Sequence, residues 1–446
     1  MTDTLKNSRA VPVPSGRINR FSRIGSLAAG VAGNMAVNGL VQLSKGSRPQ
    51  ARDLLLTPGN IRRVADELAK MRGAAMKVGQ LISMDAGELL PPELAEIMAR
   101  LRAEADFMPP KQLKQMLNEE LSPDWLSRFA QFDVRPIAAA SIGQVHKARL
   151  KDGREVAIKV QYPGIARSID SDVSNVGRLI KLSGMMPPGL ELEPFLDEAR
   201  KQLHEEADYV KEAAHLTTFH DLLADDPRFA LPAYIPELSS PRVLAMDYLA
   251  SDTIETVEQA SQKVRDRVAH ELIELTLKEL FSFRCMQTDP NFANYRYQPE
   301  TGRIVLLDFG ATRILPDQIV NQYRDLFQTA LGGGADSDLE RPAIALGLLT
   351  EDLDDKYRTA ILAMLRLVFT ETTRTPGFDF ATSDLFRNLQ SLGDVMAEDR
   401  VVLPPPPMDV LYIQRKFAGM FLLATRLKAR VGLRDLLEKA CALPRA

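Results

Sequence analysis

The sequence predicts an α+β protein in which a helical stretch comes first, a block of short strands second and a long, mainly helical segment last. Three observations lead there. Apolar residues recur at helical spacing from Ile61 through Val64, Leu68 and Met71 to Ala75. The pattern changes to short strand-like runs after Phe129, and beyond Ser251 helical runs return, broken by two turns rich in Asp, Asn and Gly. These changes divide the chain into 1–57, 58–128, 129–250 and 251–446. With 446 residues and 45% apolar content the chain can bury large cores in two or three domains. Lys plus Arg number 56 against 59 Asp plus Glu, a net charge of −3, so no bulk basic field suits nucleic acid. Cys285 and Cys441 form neither a disulfide framework nor a metal-ligand pair, as in a reducing compartment.

Residues 1–23 carry Lys6, Arg9, Arg17, Arg20 and Arg23 against the single acid Asp3, and Pro12 and Pro14 discourage helix; this reads as a flexible basic arm. Ile24 to Ser44 has no charge, yet Asn34, Asn38 and Gln42 make it too polar for a bilayer span. Gly25, Ala29 and Gly33 recur every fourth residue, a small-residue face that would let a helix approach a membrane neighbour or a second copy of the chain. Membrane contact and a homodimer would both run through this segment. Pro58-Gly-Asn60, with Asn60 as N-cap, opens a long helix that ends at Lys77-Val-Gly-Gln80. Lys77 and Gln80 share one helix face, and spacing alone reads them as ordinary solvated side chains. Pro91-Pro92 opens a second helix through Ala105, and a third runs from Lys111 to about Leu121.

Strands are expected at Ile142 to Ala148 and Glu155 to Val160, joined by the turn Lys151-Asp-Gly153. Ahead of them lies a turn of small residues, Ala138-Ala139-Ala140-Ser141, able to bring backbone N–H groups close to phosphates. Lys159 falls within the apolar strand, where a lysine is costly unless it is paired or serves a ligand. A helix near Glu193 to Leu223 supplies Glu205, Glu206, Asp208 and Glu212; at least one could face Lys159, and spacing does not choose among them. Strands resume at Tyr234-Ile235 and Val243 to Met246, leading into Asp247-Tyr248-Leu249. Beyond Ser251 helices are expected at about 256–284, 316–331, 352–371, 383–396 and 408–429, and no C-terminal run is long enough to cross a bilayer.

The two turns carry the chemistry. The first is Gln287-Thr-Asp-Pro-Asn-Phe-Ala-Asn294 and the second Leu306-Leu-Asp-Phe-Gly-Ala-Thr-Arg313. Asp289 and Asn294 stand five positions apart, and Asp308 follows Asp289 by nineteen, opening an Asp-Phe-Gly. Kinase-like enzymes place a base, a metal-binding amide and a metal-binding carboxylate at this spacing. Phosphoryl transfer needs such a set, because hard cations held by oxygen ligands neutralise the nucleotide phosphates. The expected fold is therefore a bilobal protein-kinase-like one, with a helical N-terminal extension and a mostly helical C-lobe. Its ligands would be ATP and Mg²⁺. In such a body Met246 to Leu249 would be the hinge offering backbone groups to the adenine edge.

These motifs, in this order, resemble the UbiB family of atypical protein-kinase-like proteins, most closely its mitochondrial branch, which supports coenzyme Q biosynthesis. The resemblance runs from about Pro58 to Lys428. Lys77-Val-Gly-Gln80 looks like the family's Lys-x-Gly-Gln motif, and Ala138-Ala-Ala-Ser141 like the alanine-rich loop that replaces the kinase glycine-rich loop. Glu206-Ala-Asp208 resembles its Glu-x-Asp motif. Gln287-Thr-Asp-Pro-Asn matches the mitochondrial branch, where other members have His in place of Gln287.

The resemblance implies that Lys159 contacts the α- and β-phosphates and pairs with Glu212, that Asp289 takes the catalytic-base position, and that Asn294 and Asp308 hold Mg²⁺. Ser141 and the segment Met246, Asp247, Tyr248 and Leu249 would complete the nucleotide site. Lys77 would reach Glu206 and Asp208, laying its helix where a kinase admits a peptide. Two departures from ordinary kinases follow. Alanine does not readily take positive φ, so the loop holds phosphates differently; and Pro316 comes eight positions after Asp308, with no Ala-Pro-Glu, leaving no room for a long activation segment.

The expected function is an Mg-dependent ATPase at a membrane surface that supports ubiquinone biosynthesis and does not phosphorylate proteins in trans. Its partners would be membrane or quinone-precursor lipid and the quinone-biosynthesis enzymes. The alternatives are a small-molecule or lipid kinase and a nucleotide-gated scaffold. The expected location is the cytoplasmic face of a bacterial inner membrane, with the matrix side of the mitochondrial inner membrane as the alternative.

Overall fold

The computed structural model describes residues 107–140, 142–183, 192–374, 377–399 and 406–444, together with Leu68, Met71, 73–75 and 77–79. The basic arm, the uncharged segment, the helix expected from Pro91 to Ala105, and Gln80 and Ser141 lie outside the described residues. The chain divides into two compact units, one ending at Ala214 and completed by Ala233–Tyr248, the other made of His215–Pro232 and Leu249 onward. The sequence pattern drew different limits, with 58–128 apart and 215–232 in the strand block.

In the first unit, α1 (Pro110–Glu120) begins with proline at its first helical position, where the missing N–H costs nothing. Its Leu113, Met116 and Leu117, spaced for one face, join a core with Trp125, Phe129, Ala148, Leu150, Val156, Ile158, Val160, Val243 and Ala245. That core lines one side of an antiparallel sheet built from β1 (Phe129–Phe132), β2 (Ala138–Ala139), β3 (Gly143–Leu150) and β4 (Glu155–Gln161). The hairpin between β3 and β4 turns at Lys151-Asp-Gly153, where Gly153 takes φ of +93° and its N–H donates to Leu150 O. Strand alternation does the rest. Val156, Ile158 and Val160 face the core, so Ala157 and Lys159 face the other way.

Three helices follow: α2 (Ile165–Ser183), α3 (Glu193–Glu206) and α4 (Tyr209–Leu222). The single helix expected from Glu193 to Leu223 is thus two. The break falls at Ala207-Asp208, where the Asp208 carboxylate accepts from the Lys211 N–H at 3.0 Å and caps α4. Residues 209–214 of α4 belong to the first unit and 215–222 to the second. After β5 (Phe229–Ala230), β6 (Val243–Asp247) closes the first sheet in the order β1-β3-β4-β6, with β2 on β3. The expected strand at Tyr234-Ile235 is only a bridge from Tyr234 to Met246; Pro232 and Pro236 on either side deny it a longer ladder.

The second unit contains more sheet than its sequence suggests. β7 (Asp252–Thr253), β9 (Tyr295–Tyr297) and β10 (Ile304–Leu306) join β5 in the order β5-β10-β9-β7, while β8 (Cys285–Gln287) pairs with β11 (Thr312–Ile314). These strands of two or three residues are too short to show periodicity, which is why the region reads as helix and turns. The helix expected over 256–284 resolves into a 3₁₀ turn at Ile254–Gln259, α5 (Gln262–Lys278) and a π-helical turn over Glu279–Phe283. It ends at Arg284, whose left-handed φ of 52° redirects the chain into β8. The remaining helices are α6 (Asp317–Leu331), α7 (Glu340–Ala345), α8 (Asp355–Thr372), α9 (Leu385–Glu398), α10 (Met408–Arg426) and α11 (Leu433–Cys441), with a small ladder between β12 (Phe378–Asp379) and β13 (Arg430–Val431).

Candidate functional site

In the first unit the site is organised by Lys159. On β4 it lies opposite Val145 and Leu244, and its Nζ donates to both Glu212 oxygens at 2.7 and 2.8 Å. Glu212 is buried, as is most of Lys159, so each charge meets the desolvation cost of the other. Tyr209, one turn before Glu212, places its ring 5.0 Å from Lys159 Nζ. The same tyrosine explains Gly143: a Cβ there would stand 2.4 Å from Val160 O and 2.9 Å from the Tyr209 hydroxyl.

The alanine-rich loop uses its backbone internally. Ala138 and Ala139 pair with Val145 and Gln144, and the Ala140 N–H donates to Gly143 O at 2.8 Å. At the expected hinge Met246 pairs with Ala157, while the Asp247 and Tyr248 N–H groups donate to Ala233 O and Glu155 O, each at 3.0 Å. Among the described residues no backbone bond takes the Leu249 N–H. Lys77, nearly buried, forms an ion pair with Glu206. Among the described residues its ion pair is with Glu206 and not with Asp208, whose Oδ1 accepts from the Lys211 N–H.

In the second unit the two turns hang from adjacent ladders. Gln287 lies opposite Thr312 across β8 and β11, Tyr295 opposite Leu306 across β9 and β10, and the Leu307 N–H donates to Asn294 O at 3.1 Å. The ladder therefore brings Asn294 beside the strand that delivers Asp308. The Asn294 side-chain amide donates to the Asp289 carbonyl and to Asp289 Oδ2, each at 3.2 Å. Asp308 Oδ1 accepts from the Gly310 N–H at 2.9 Å, and Phe309 packs 4.8 Å from Phe219 of α4, ring centre to ring centre.

Helix α10 supplies what spacing missed. Arg415 donates to Asp289 Oδ1 at 3.1 Å. Lys416 donates to Gln287 O at 2.8 Å, Gln287 Oε1 at 3.1 Å and the Tyr295 hydroxyl at 2.8 Å, and lies 3.2 Å from Glu279 Oε2. Lys416 and Glu279 are each 2% exposed in their side chains. Burial by itself would depress the Lys416 ammonium, but Glu279 and Tyr295 outweigh it and hold the group above its usual range. Gln287 thus serves as a double acceptor beneath the loop. Glu279 comes from the π-helical turn, a device that re-aims one side chain within a helix. A signal was present in the sequence: Lys416 interrupts the apolar positions Val410, Ile413 and Met420, just as Lys159 interrupts its strand.

The donor set suits Mg²⁺. Among the described residues no group of three or more His, Cys, Asp and Glu side chains could hold a metal alone. One carboxylate and one amide oxygen, completed by phosphate oxygens and water, is how Mg²⁺ is commonly held.

A lysine–glutamate pair on a five-stranded sheet, with an Asp-x-x-x-x-Asn loop and an Asp-Phe-Gly turn, defines a kinase-like protein. The family model described as the ABC1 atypical kinase-like domain matches residues 100–337. The chain is 38% identical to the rat atypical kinase COQ8B, mitochondrial, over 97% of its own length and 81% of that protein. It is 37% identical to the Saccharomyces cerevisiae atypical kinase COQ8, mitochondrial, over 96% and 85%. Among solved structures, Rv3197 of Mycobacterium tuberculosis in complex with erythromycin aligns with a TM-score of 0.60 at 26% identity, covering 83% of this chain and 93% of that one. The chain belongs to the ABC1 (UbiB) family of atypical kinase-like proteins and is COQ8-like within it.

Proposed function

We propose that this protein is an Mg-dependent ATPase that acts at a membrane surface in support of ubiquinone biosynthesis, on lipid-bound enzymes or their lipid intermediates. The observation that carries nucleotide use is the Lys159–Glu212 pair, a buried cation held by both oxygens of one carboxylate. In this reading Lys159 holds the α- and β-phosphates, Asn294 and Asp308 hold Mg²⁺, and Asp289 orients the attacking water. Bound Mg²⁺ neutralises the phosphate oxygens, and the protein contributes position and charge. What argues against protein substrates is the course of the chain after Asp308. Thr312–Ile314 pairs at once with β8, the Leu315 N–H donates to Arg284 O at 2.8 Å, and α6 starts at Asp317, which leaves no activation segment on which a peptide could dock.

Membrane association is proposed from the basic arm and the uncharged segment 24–44. Among the described residues no helix is long and apolar enough to cross a membrane. The relatives' names place them in mitochondria; for this chain the reading is the cytoplasmic face of a bacterial inner membrane, with the matrix side of the mitochondrial inner membrane as the alternative. The test is phosphate release from ATP, with and without anionic vesicles. Release should rise with vesicles and vanish in Asp308→Asn. Undiminished release in that variant would overturn the assignment.

A further inference from the structure

Asp289 is held by both carboxylate oxygens. Oδ1 accepts from Arg415 and Oδ2 from the Asn294 side-chain amide, which also donates to the Asp289 carbonyl. The nitrogen of Asn294 is thereby committed to residue 289, and its oxygen is the atom left to face a cation. An asparagine without that commitment could turn its N–H₂ toward the metal, which repels it.

We infer that Arg415 is a positioning residue for Mg²⁺. It fixes the Asp289 carboxylate in the orientation that engages the Asn294 nitrogen, and so keeps the Asn294 oxygen presented as a ligand. This rests on the reading of Asn294 and Asp308 as the metal-holding pair. Two features make Arg415 suited to the task. Its side chain is 15% exposed, so water competes weakly for Asp289. And α10 is itself seated against the loop: Gly419, one turn on, lies so close to Pro290 that a Cβ would stand 2.1 Å from the Pro290 Cβ. A guanidinium also fixes direction as well as charge, which an ammonium does not.

The experiment uses the full chain and titrates Mg²⁺ at fixed ATP, reading the rise in melting temperature, alongside Mn²⁺ binding in the presence of ADP by electron paramagnetic resonance. In Arg415→Gln the half-saturating Mg²⁺ concentration should rise about 10- to 100-fold, the usual consequence of losing a group that orients a metal ligand. The full melting shift should return at saturating Mg²⁺. Arg415→Lys should recover only part of the affinity.

Asp289→Asn gives an independent reading. Its oxygen can still accept from Arg415, which turns its own N–H₂ toward the Asn294 nitrogen and leaves that nitrogen only the residue 289 carbonyl as acceptor; the Asn294 amide is then held less firmly, and the Mg²⁺ requirement should rise here with Arg415 intact. A role of Arg415 in folding alone would lower the melting temperature at every Mg²⁺ concentration and leave the half-saturation point unmoved, which overturns the inference. If Arg415→Gln does not fold, Asp289→Asn decides, and an unchanged Mg²⁺ requirement there is equally fatal. A wild-type chain that takes up no Mg–ATP refutes the site reading, and this inference with it.

Discussion

Replacing Lys416 by methionine keeps the length of the side chain and removes its charge, which isolates what the buried ammonium contributes. Three acceptors lose a donor, the Gln287 carbonyl, the Gln287 side chain and the Tyr295 hydroxyl. The larger effect falls on Glu279, left ionised and 2% exposed without a counter-ion. Breaking one side of such a pair costs about 3–5 kcal/mol, roughly a fifth or more of the stability of a typical domain. That cost depends on pH in a definite direction. Burial already raises the Glu279 acid above its usual value, and losing Lys416 raises it further. A carboxyl with a raised folded value contributes stability below its unfolded value and loses it as pH climbs through the folded one, so the variant should be damaged less near pH 5 than near pH 8. Lys416 itself, raised in the folded state, contributes at all pH values below its ordinary one and fades only in alkali. Urea unfolding followed by circular dichroism measures the difference, and adding Glu279→Gln to Lys416→Met should return about 2 kcal/mol as coupling energy. Equal losses at both pH values, with no recovery in the double variant, would refute the charge argument.

Two further outcomes follow from the same geometry. His146 is held neutral, with Nε2 accepting from Gln144 and Nδ1–H donating to the Asp133 carbonyl, and desolvation lowers it to about 4. Because the folded value lies below the ordinary one, the first unit should lose up to about 3 kcal/mol as pH falls from about 6.5 to 4, and His146→Leu should flatten that slope. Trp125, the single tryptophan, meets Phe132, which stacks on His146, so its fluorescence is the natural readout. Gly419→Ala should favour helix α10 by about 1 kcal/mol on propensity alone. Yet it would push Pro290 and its neighbour Asp289 aside, and a displacement near 1 Å costs on the order of 100-fold in rate. ATP turnover by this variant at unchanged melting temperature tests whether α10 sets the loop; turnover near the wild-type rate refutes it.

The parts of the site that were legible in the sequence are those whose chemistry is written in local spacing. Asp289 and Asn294 stand out because they lie five positions apart on one turn, Asp308 because it opens an Asp-Phe-Gly nineteen positions after Asp289, and Lys159 because a cation in an apolar strand demands a partner. The choice of Glu212 over Asp208 was not legible from spacing: both lie near the start of α4, and only the fold shows that Glu212 meets Lys159 while Asp208 stands at the helix cap. The short strands around the turns escaped because three residues show no period, although their ladders bring Asn294 beside the strand that delivers Asp308. Arg415, Lys416 and Gly419 escaped for another reason, since they lie more than a hundred residues beyond the loop they support and no local pattern joins them to it. Once the fold brings them together, their spacing becomes meaningful, because Gly419 follows Lys416 by three positions and Arg415 by four, the two spacings that bring residues together on a helix. The residues that would handle phosphate and metal announce their chemistry, while those that aim them are ordinary side chains whose purpose comes from what they touch. It follows that a chain keeping the loop motifs but altering this face of α10 would still read as a kinase-like enzyme while needing far more Mg²⁺ to act as one.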